Sequence, residues 1–231
     1  MDRNINKILS DQATYYQRRA GEYDEWFLRQ GRYDRGPENN SAWFADLEII
    51  KKTLCIKPLG DTLEIAGGTG LWTSLLKGNA KSVHVLDSSE EVLAINKMKN
   101  PDVNITYEVG DVFNWSPDRK YDFIFFSFWL SHVPEEKFLQ FWDLIYLSLK
   151  DNGRWFFIDS KSDEFSRAID HTIDLNSDVV IRKLNDGTEF NIIKRFYDVK
   201  GLSDRLKTMG WTTDLSSTHR FFIFGSGYKN K

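Results

Sequence analysis

Apolar residues recur along this chain with two different periods. Residues from about 10 to 30 read as a helix rich in Tyr, Arg and Glu. A turn-rich stretch follows from Gln30 to Asn40, with Gly31, Gly36 and Pro37. Ser41 is placed to cap a helix to about Leu54, with Trp43, Phe44, Leu47 and Ile50 at helical spacing. Short apolar runs then alternate with helical ones. Strands are predicted at Asp61–Ala66, Ser82–Leu86, Ile105–Val109, Tyr121–Phe126 and Arg154–Ile158. The helices between them run through about Leu76, from Ser88–Ser89 to about Met98, and from Pro134 to about Leu149. Asn152–Gly153 is the predicted stop of the last. The fourth strand is apolar enough to be buried on both faces. Such alternation predicts a parallel sheet with helices on both sides.

The alternation then breaks. Val179–Leu184, the turn Asn185-Asp186-Gly187 and Thr188–Phe196 read as a β-hairpin. It stands where the next helix is due, so residues 161–196 read as an insertion. A last helix, about Gly201–Met209, precedes strands near Thr212–Leu215 and Phe221–Gly225. The 231 residues therefore read as one domain. Its parts are an N-terminal helical cap (1–58), a core (59–160), the insertion or lid (161–196) and a C-terminal helix with strands (197–231).

Composition narrows the partners. The net charge of −3 and the lack of a dense Lys/Arg run argue against nucleic acid. The single cysteine, Cys55, excludes an intramolecular disulfide and a cysteine-cluster metal site; it reads as core, with a nucleophile the remote alternative. The polar N-terminus lacks a secretion signal, and no segment is apolar for long enough to span a bilayer. A cytoplasmic protein with no membrane partner, monomer or homodimer, is expected. Eight Trp and seventeen Phe exceed what a core alone demands, and a surplus can line a ligand pocket.

The chemistry concentrates at Leu63-Glu64-Ile65-Ala66-Gly67-Gly68-Thr69-Gly70, after a strand and before a helix. Such a loop lets the backbone approach a ligand closely and offers unpaired N–H groups. It can equally be a plain tight turn. Asp87 directly follows the second strand, where a carboxylate accepts from both hydroxyls of a ribose; a helix cap is the alternative, although Ser88 and Ser89 already serve there. After the third strand, Asp111 can accept from an adenine amino group while Val112 and Phe113 pack on the ring, or be a solvated turn acid. All lie at carboxyl ends of strands, where open α/β sheets bind ligands.

With these motifs the sequence resembles the class I S-adenosylmethionine-dependent methyltransferase superfamily, well over residues 60–160 and more loosely outside. The resemblance implies a Rossmann-like three-layer sandwich with a mostly parallel seven-stranded sheet, and S-adenosylmethionine as cofactor. Ala66 departs from the family's usual first glycine, which is harmless where φ is negative. The resemblance puts Gly68 and Gly70 beside the methionine part, Asp87 on the ribose and Asp111 near the adenine; Glu64, Ala66, Gly67, Trp72, Ser88, Val112 and Phe113 are expected to bind the cofactor with them. Ser127 and Phe128, ahead of Trp129, then face the methyl group. It also suggests that Tyr16 and Arg19, with Tyr15 and Tyr23, fold over the cofactor; a helix merely docked on the sheet fits as well. Trp26, Tyr33 and Trp43 are cap or core.

Methyl transfer needs a base only where the acceptor must lose a proton. His132, just past the fourth strand, is the candidate, with a structural histidine as the alternative. Asp159 ends the fifth strand and is placed to orient an acceptor, bind a metal or cap; no metal site is assigned. His171 is a weaker candidate. Arg182, Lys183 and Arg195 in the hairpin, with Phe190, Ile192 and Phe196, suggest a lid for an acidic acceptor, or else an edge extension or dimer contact. The Asn-Pro-Pro-Tyr motif of amide and nucleobase N-methylating relatives is absent after the fourth strand. A small-molecule acceptor, methylated on O or N, is expected. The rival readings are a nicotinamide-dependent oxidoreductase and a non-catalytic cofactor-binding module.

Overall fold

The computed structural model describes residues 4–54, 58–171, 174 and 177–230, so Cys55 lies outside the described residues. Seven strands form one sheet in the order β3-β2-β1-β4-β5-β9-β8. β1 (Gly60–Ile65), β2 (Ala80–Asp87), β3 (Ile105–Val109), β4 (Tyr121–Ser127) and β5 (Leu149–Ser160) run parallel, whereas β9 (Phe222–Lys229) is antiparallel to β5 and β8 (Trp211–Ser217) to β9. The expected mostly parallel seven-stranded sheet is thus present, with β6 (Val179–Lys183) and β7 (Glu189–Ile193) as a separate hairpin. Connections that reverse the strand order fall between β1 and β4. The carboxyl ends of those strands therefore open a crevice.

β4 shows why the sheet is buried on both faces. Ile124 and Phe126 pack with Phe141, Trp142, Trp155 and Trp211, beside α6 (Phe138–Ser148) and α7 (Val199–Thr208). Phe123 and Phe125 face the other way, into Trp43, Leu47, Trp72 and Phe156, beside α3 (Pro37–Leu54). α5 (Glu90–Lys99) also flanks the sheet, capped by Ser89, whose hydroxyl accepts from the Val92 N–H. No helix among the described residues is long and apolar enough to cross a membrane.

Three local expectations need correction. The helix expected over residues 10–30 is two helices, α1 (Ile5–Arg18) and α2 (Tyr23–Leu28), joined by a tight turn at Ala20–Glu22. Gly21 weakens a continuous helix there, and the turn lets Arg19 and Tyr23 point inward together. α3 begins at Pro37 rather than after Ser41. Proline is preformed for a first helical turn, and Asp34 Oδ1 holds the entry by accepting from Gly36 N and Asn40 Nδ2. The helix after β1 contracts to α4 (Thr73–Leu76). The hairpin packs on α1, where Tyr15 joins Val180, Leu184 and Ile192 in a small apolar cluster of its own.

Glu64, on β1, is 1 % exposed. Its Oε2 accepts from the Thr73 hydroxyl at 2.6 Å, while Oε1 has no partner. Burial raises its pKa to about 8, so it holds a proton at neutral pH. The unfolded chain gives up that proton near the ordinary glutamate value, so between about pH 5 and 7 the native state binds more protons. Stability then falls with rising pH, by up to roughly 1.4 kcal/mol per pH unit from this group. Glu64→Gln removes the contribution. Its urea-unfolding free energy relative to wild type is expected to improve steadily from pH 5 to pH 7; a constant difference would contradict the buried proton.

Candidate active site

The crevice above β1, β2 and β4 encloses about 660 Å³. At its floor the loop after β1 turns through two left-handed residues, Ala66 (φ 54°) and Gly68 (φ 57°). Ala66 therefore does need positive φ, contrary to expectation, and its Cβ costs of order 1–2 kcal/mol there. Gly70 (φ 88°) is required twice over, since a Cβ would also lie 2.4 Å from Asn96 Oδ1. Two buried asparagines of α5 hold the loop. Asn96 Nδ2 donates to the Gly68 carbonyl and Asn100 Nδ2 to the Gly70 carbonyl, each at 3.1 Å. Sequence reading missed both, because an asparagine inside a helix carries no signal until its partner loop is in place.

Asp87 closes one side. Its Oδ2 accepts from Gly68 N at 3.0 Å and its Oδ1 from Ser89 N at 3.1 Å. A carboxylate has about four acceptor positions, and these donors, with the Ser88 N–H beside them, leave acceptor capacity for a ligand's hydroxyl groups. Burial raises the Asp87 pKa, against the lowering by these backbone donors. Ala66, Gly68, Ser88, Asp111, Val112, Ser127 and Phe128 also line the crevice, as does Tyr16 from α1. The Asp111 carboxylate is partly engaged, accepting from Phe113 N and Asn114 Nδ2.

The other expected residues stand elsewhere. Glu64, Gly67 and Gly70 shape the loop from below without lining this crevice, and a Cβ on Gly67 would strike Val85 at 2.3 Å. Trp72 packs in the core against Phe27 and Phe125. Phe113 leans on Trp129, at the edge of a neighbouring hollow that Asp111 shares. Arg19 faces a second cavity.

That second cavity, of about 620 Å³, lies under the hairpin. Arg19, Arg167, Arg182 and Lys194 line it with Tyr15, Tyr33 and Ser160, and among the described residues no aspartate or glutamate does. Arg19 donates to the Tyr33 hydroxyl at 3.2 Å and sits over the rings of Tyr15, Tyr23 and Tyr33. Arg182 has only a long contact to its neighbour's carbonyl, and burial lowers its pKa. Lys194 is the exception: it donates to Ser131 Oγ at 2.8 Å and lies 3.4 Å from Asp159. The Tyr15 hydroxyl is buried without a partner. Of the basic residues expected here, Lys183 instead pairs with Glu189 and Arg195 with Glu135. Lys194 and Arg167 were not foreseen; the alternation Ile192, Lys194, Phe196 along β7 and beyond holds the signal for the first.

Asp159 accepts from Ser131 N at 2.8 Å and Ser160 N at 2.7 Å. With Lys194 beside it, much of the carboxylate's acceptor capacity is engaged by the protein. Among the described residues no group of three His, Cys, Asp or Glu is arranged to hold a metal. His171 lines the cavity, its Nε2 accepting from Lys183 N, and burial lowers its pKa to about 3.

His132, Tyr16, Tyr23 and Phe128 line both crevice and cavity. Phe128 reaches this place through a left-handed backbone (φ 54°), fixed by its N–H on the Ile158 carbonyl at 2.7 Å. His132 is buried. Its Nδ1 lies 2.6 Å from the Ile193 carbonyl oxygen, which only accepts, so Nδ1 bears the proton. Nε2 is then bare and accepts from the Tyr16 hydroxyl at 2.8 Å.

Comparison with known proteins agrees with this geometry. The family described as "Methyltransferase domain" matches residues 62–153. An uncharacterized methyltransferase of Staphylococcus carnosus is 28% identical over 171 residues, which cover 70% of this chain and 75% of that protein. The DhpI–SAH complex superposes with a TM-score of 0.78 at 32% identity, covering 97% of this chain and 98% of DhpI; the DhpI–SAM–HEP complex is 33% identical with the same TM-score, covering 96% and 97%. An S-adenosylmethionine-dependent methyltransferase from Clostridium acetobutylicum shares the fold at 17% identity, with a TM-score of 0.62 over 94% of this chain and the whole of that one. The crevice, with its glycine loop and half-engaged Asp87, fits the cofactor of these proteins: the chain belongs to the class I S-adenosylmethionine-dependent methyltransferase superfamily and uses S-adenosylmethionine.

Proposed function

We propose that the enzyme methylates a small acidic molecule held in the cavity beneath the hairpin. The observation that carries this reading is the set Arg19, Arg167 and Arg182. These are three guanidinium groups without an ion pair among the described residues, in a cavity that no carboxylate lines. Arginine stays protonated throughout the ordinary pH range, so the cavity holds uncompensated positive charge. A bound anion offsets the cost of burying it. DhpI has been seen with both SAM and HEP, which supports a small partner beside the cofactor. The hairpin acts as the lid over that partner.

S-adenosylmethionine supplies a methyl carbon already activated on a sulfonium sulfur. Asp87 holds the ribose hydroxyls, with Ser88 beside it. Gly68 and Ala66 bring the backbone against the methionine part, and Asp111 and Val112 meet the adenine. Ser127 and Phe128 stand where the methyl group leaves the crevice. Much of the acceleration then comes from aligning two ligands across a short passage with water excluded.

Asp87→Ala is expected to weaken S-adenosylhomocysteine binding about 10- to 100-fold by calorimetry with the fold intact, because two charge-assisted hydrogen bonds are lost. Unchanged affinity would remove Asp87 from the cofactor site. The acceptor class is tested with methyl-labelled cofactor and a panel of hydroxy acids, dicarboxylic acids and phosphate monoesters against neutral alcohols and amines. Label is expected on acids, and Arg182→Met should raise KM for the best of them about 10-fold or more while leaving S-adenosylhomocysteine affinity in place. Preference for neutral or cationic acceptors would overturn the reading.

A further inference from the structure

Among the described residues Tyr16, Tyr23, Phe128 and His132 alone line both the crevice and the cavity, so they frame the passage a methyl group crosses. Both ring nitrogens of His132 are already committed, Nδ1–H to the Ile193 carbonyl and Nε2 to Tyr16. The imidazole therefore has no free atom for an acceptor. The Tyr16 hydroxyl is in the opposite position. Its proton is directed at His132, so its oxygen turns lone pairs to its remaining surroundings. Gln12, one turn earlier on α1, fixes this arrangement. Its Nε2 donates to the His132 carbonyl at 3.2 Å, and its Oε1 accepts from Ile193 N at 3.0 Å. The backbones of His132 and of Ile193, its Nδ1 partner, are thus both tied to the helix that carries Tyr16.

We propose that Tyr16 is the catalytic residue that receives the acceptor's proton, and that His132 is the positioning residue and proton sink behind it. The proposal rests on the cavity being the acceptor site. The nucleophilic O–H or N–H donates to Tyr16 Oη, which leaves a lone pair of the same atom free to meet the methyl carbon. That lone pair forms the new bond to carbon, and the electron pair of the broken carbon–sulfur bond stays with sulfur. The acceptor's proton passes to Tyr16 Oη and the tyrosine's own proton to His132 Nε2. The imidazolium keeps its Nδ1–H on the Ile193 carbonyl until it loses the extra proton to solvent.

The charges around His132 suit a sink that is empty at the start. Burial holds its pKa well below the usual histidine value, and Lys194 lowers it further, against the Ile193 carbonyl. Arg182 of the hairpin and Arg19 of α1 act in the same direction as Lys194. Asp159 of β5 faces Lys194, Tyr16 faces the ring and Tyr23 faces Tyr16, both as neutral phenols, their own pKa values pushed up by burial. The ring is unprotonated above its lowered pKa, so the acid limb of kcat lies well below pH 6.5. A proton on a freshly methylated oxygen or nitrogen drawn toward positive charge is acidic enough to reach such a base.

The test pairs Tyr16→Phe and His132→Ala with nitrogen NMR of histidine-labelled enzyme bound to S-adenosylhomocysteine. In wild type, His132 is expected as the Nδ1–H tautomer with Nε2 accepting a hydrogen bond. In Tyr16→Phe the Nε2 resonance moves to that of an unbonded nitrogen. With the acid of the panel that is methylated fastest, each variant should lose about 100-fold or more in kcat, more than it loses in S-adenosylhomocysteine affinity. The double variant should lose little beyond either single one, as for two groups acting in one relay. A wild-type spectrum with Nε2 protonated, or kcat of Tyr16→Phe within threefold of wild type, would overturn the proposal. If no acid of the panel is methylated, the acidic-acceptor reading falls by itself, and the spectrum still decides the Tyr16–His132 bond.

Discussion

The chain of hydrogen bonds from Tyr16 through His132 to the Ile193 carbonyl ties together three pieces of sequence that lie far apart along the chain. α1, the turn after β4 and the end of β7 are 116 and 61 residues apart along that chain of contacts. Every link is buried or partly buried and neutral, so each gains from the low local dielectric without the cost of desolvating a charge. Gln12 on the His132 and Ile193 backbones, and Lys194 on Ser131, support the same registration, beside the small apolar patch around Tyr15, Val180 and Ile192.

Against this neutral seam stands the charge beneath the hairpin. Three guanidinium groups are gathered among tyrosine rings, and only Lys194 has a carboxylate beside it. Ring faces offset part of the desolvation cost for Arg19. Arg182 has no comparable compensation, and that deficit is hard to understand as a device for stability alone. The tip of the hairpin is held differently, by exposed pairs such as Arg18 with Asp186 and by Asn185 on Glu22 and Glu25. Exposed pairs contribute little and are screened by salt. The hairpin is thus firmly seated at its base and lightly held at its end.

Much of this was legible in the sequence where local chemistry and periodicity agree. The strands are a case in point, as are Gly68, Asp87 and Asp111, whose places at strand ends follow from the alternation alone. So was the hairpin, from Asn185-Asp186-Gly187. What escaped was of two kinds. Gly21 inside a helical pattern gave too weak a signal to split α1 from α2, and that split is what turns Arg19 away from the crevice. Long-range partners were invisible too. Asn96, Asn100 and Gln12 are polar side chains whose roles exist only once a distant carbonyl has arrived. His132 was noticed for its chemistry, yet the tyrosine that occupies its Nε2 lies 116 residues earlier. Trp72, just ahead of the four-residue α4, packs on Phe27 and Phe125 and lines a small hollow with Gly67, Gly68 and Phe128 beside the crevice.

The asparagine ties beneath the glycine loop have a wider consequence. Asn96 and Asn100 make the loop and the end of α5 one stiff unit, so the crevice floor is shaped before anything binds and the entropy of ordering falls chiefly elsewhere. The hairpin hangs on a separate set of ties, to α1 and the turn after β4, so its sequence can change without disturbing the bonds that hold the floor.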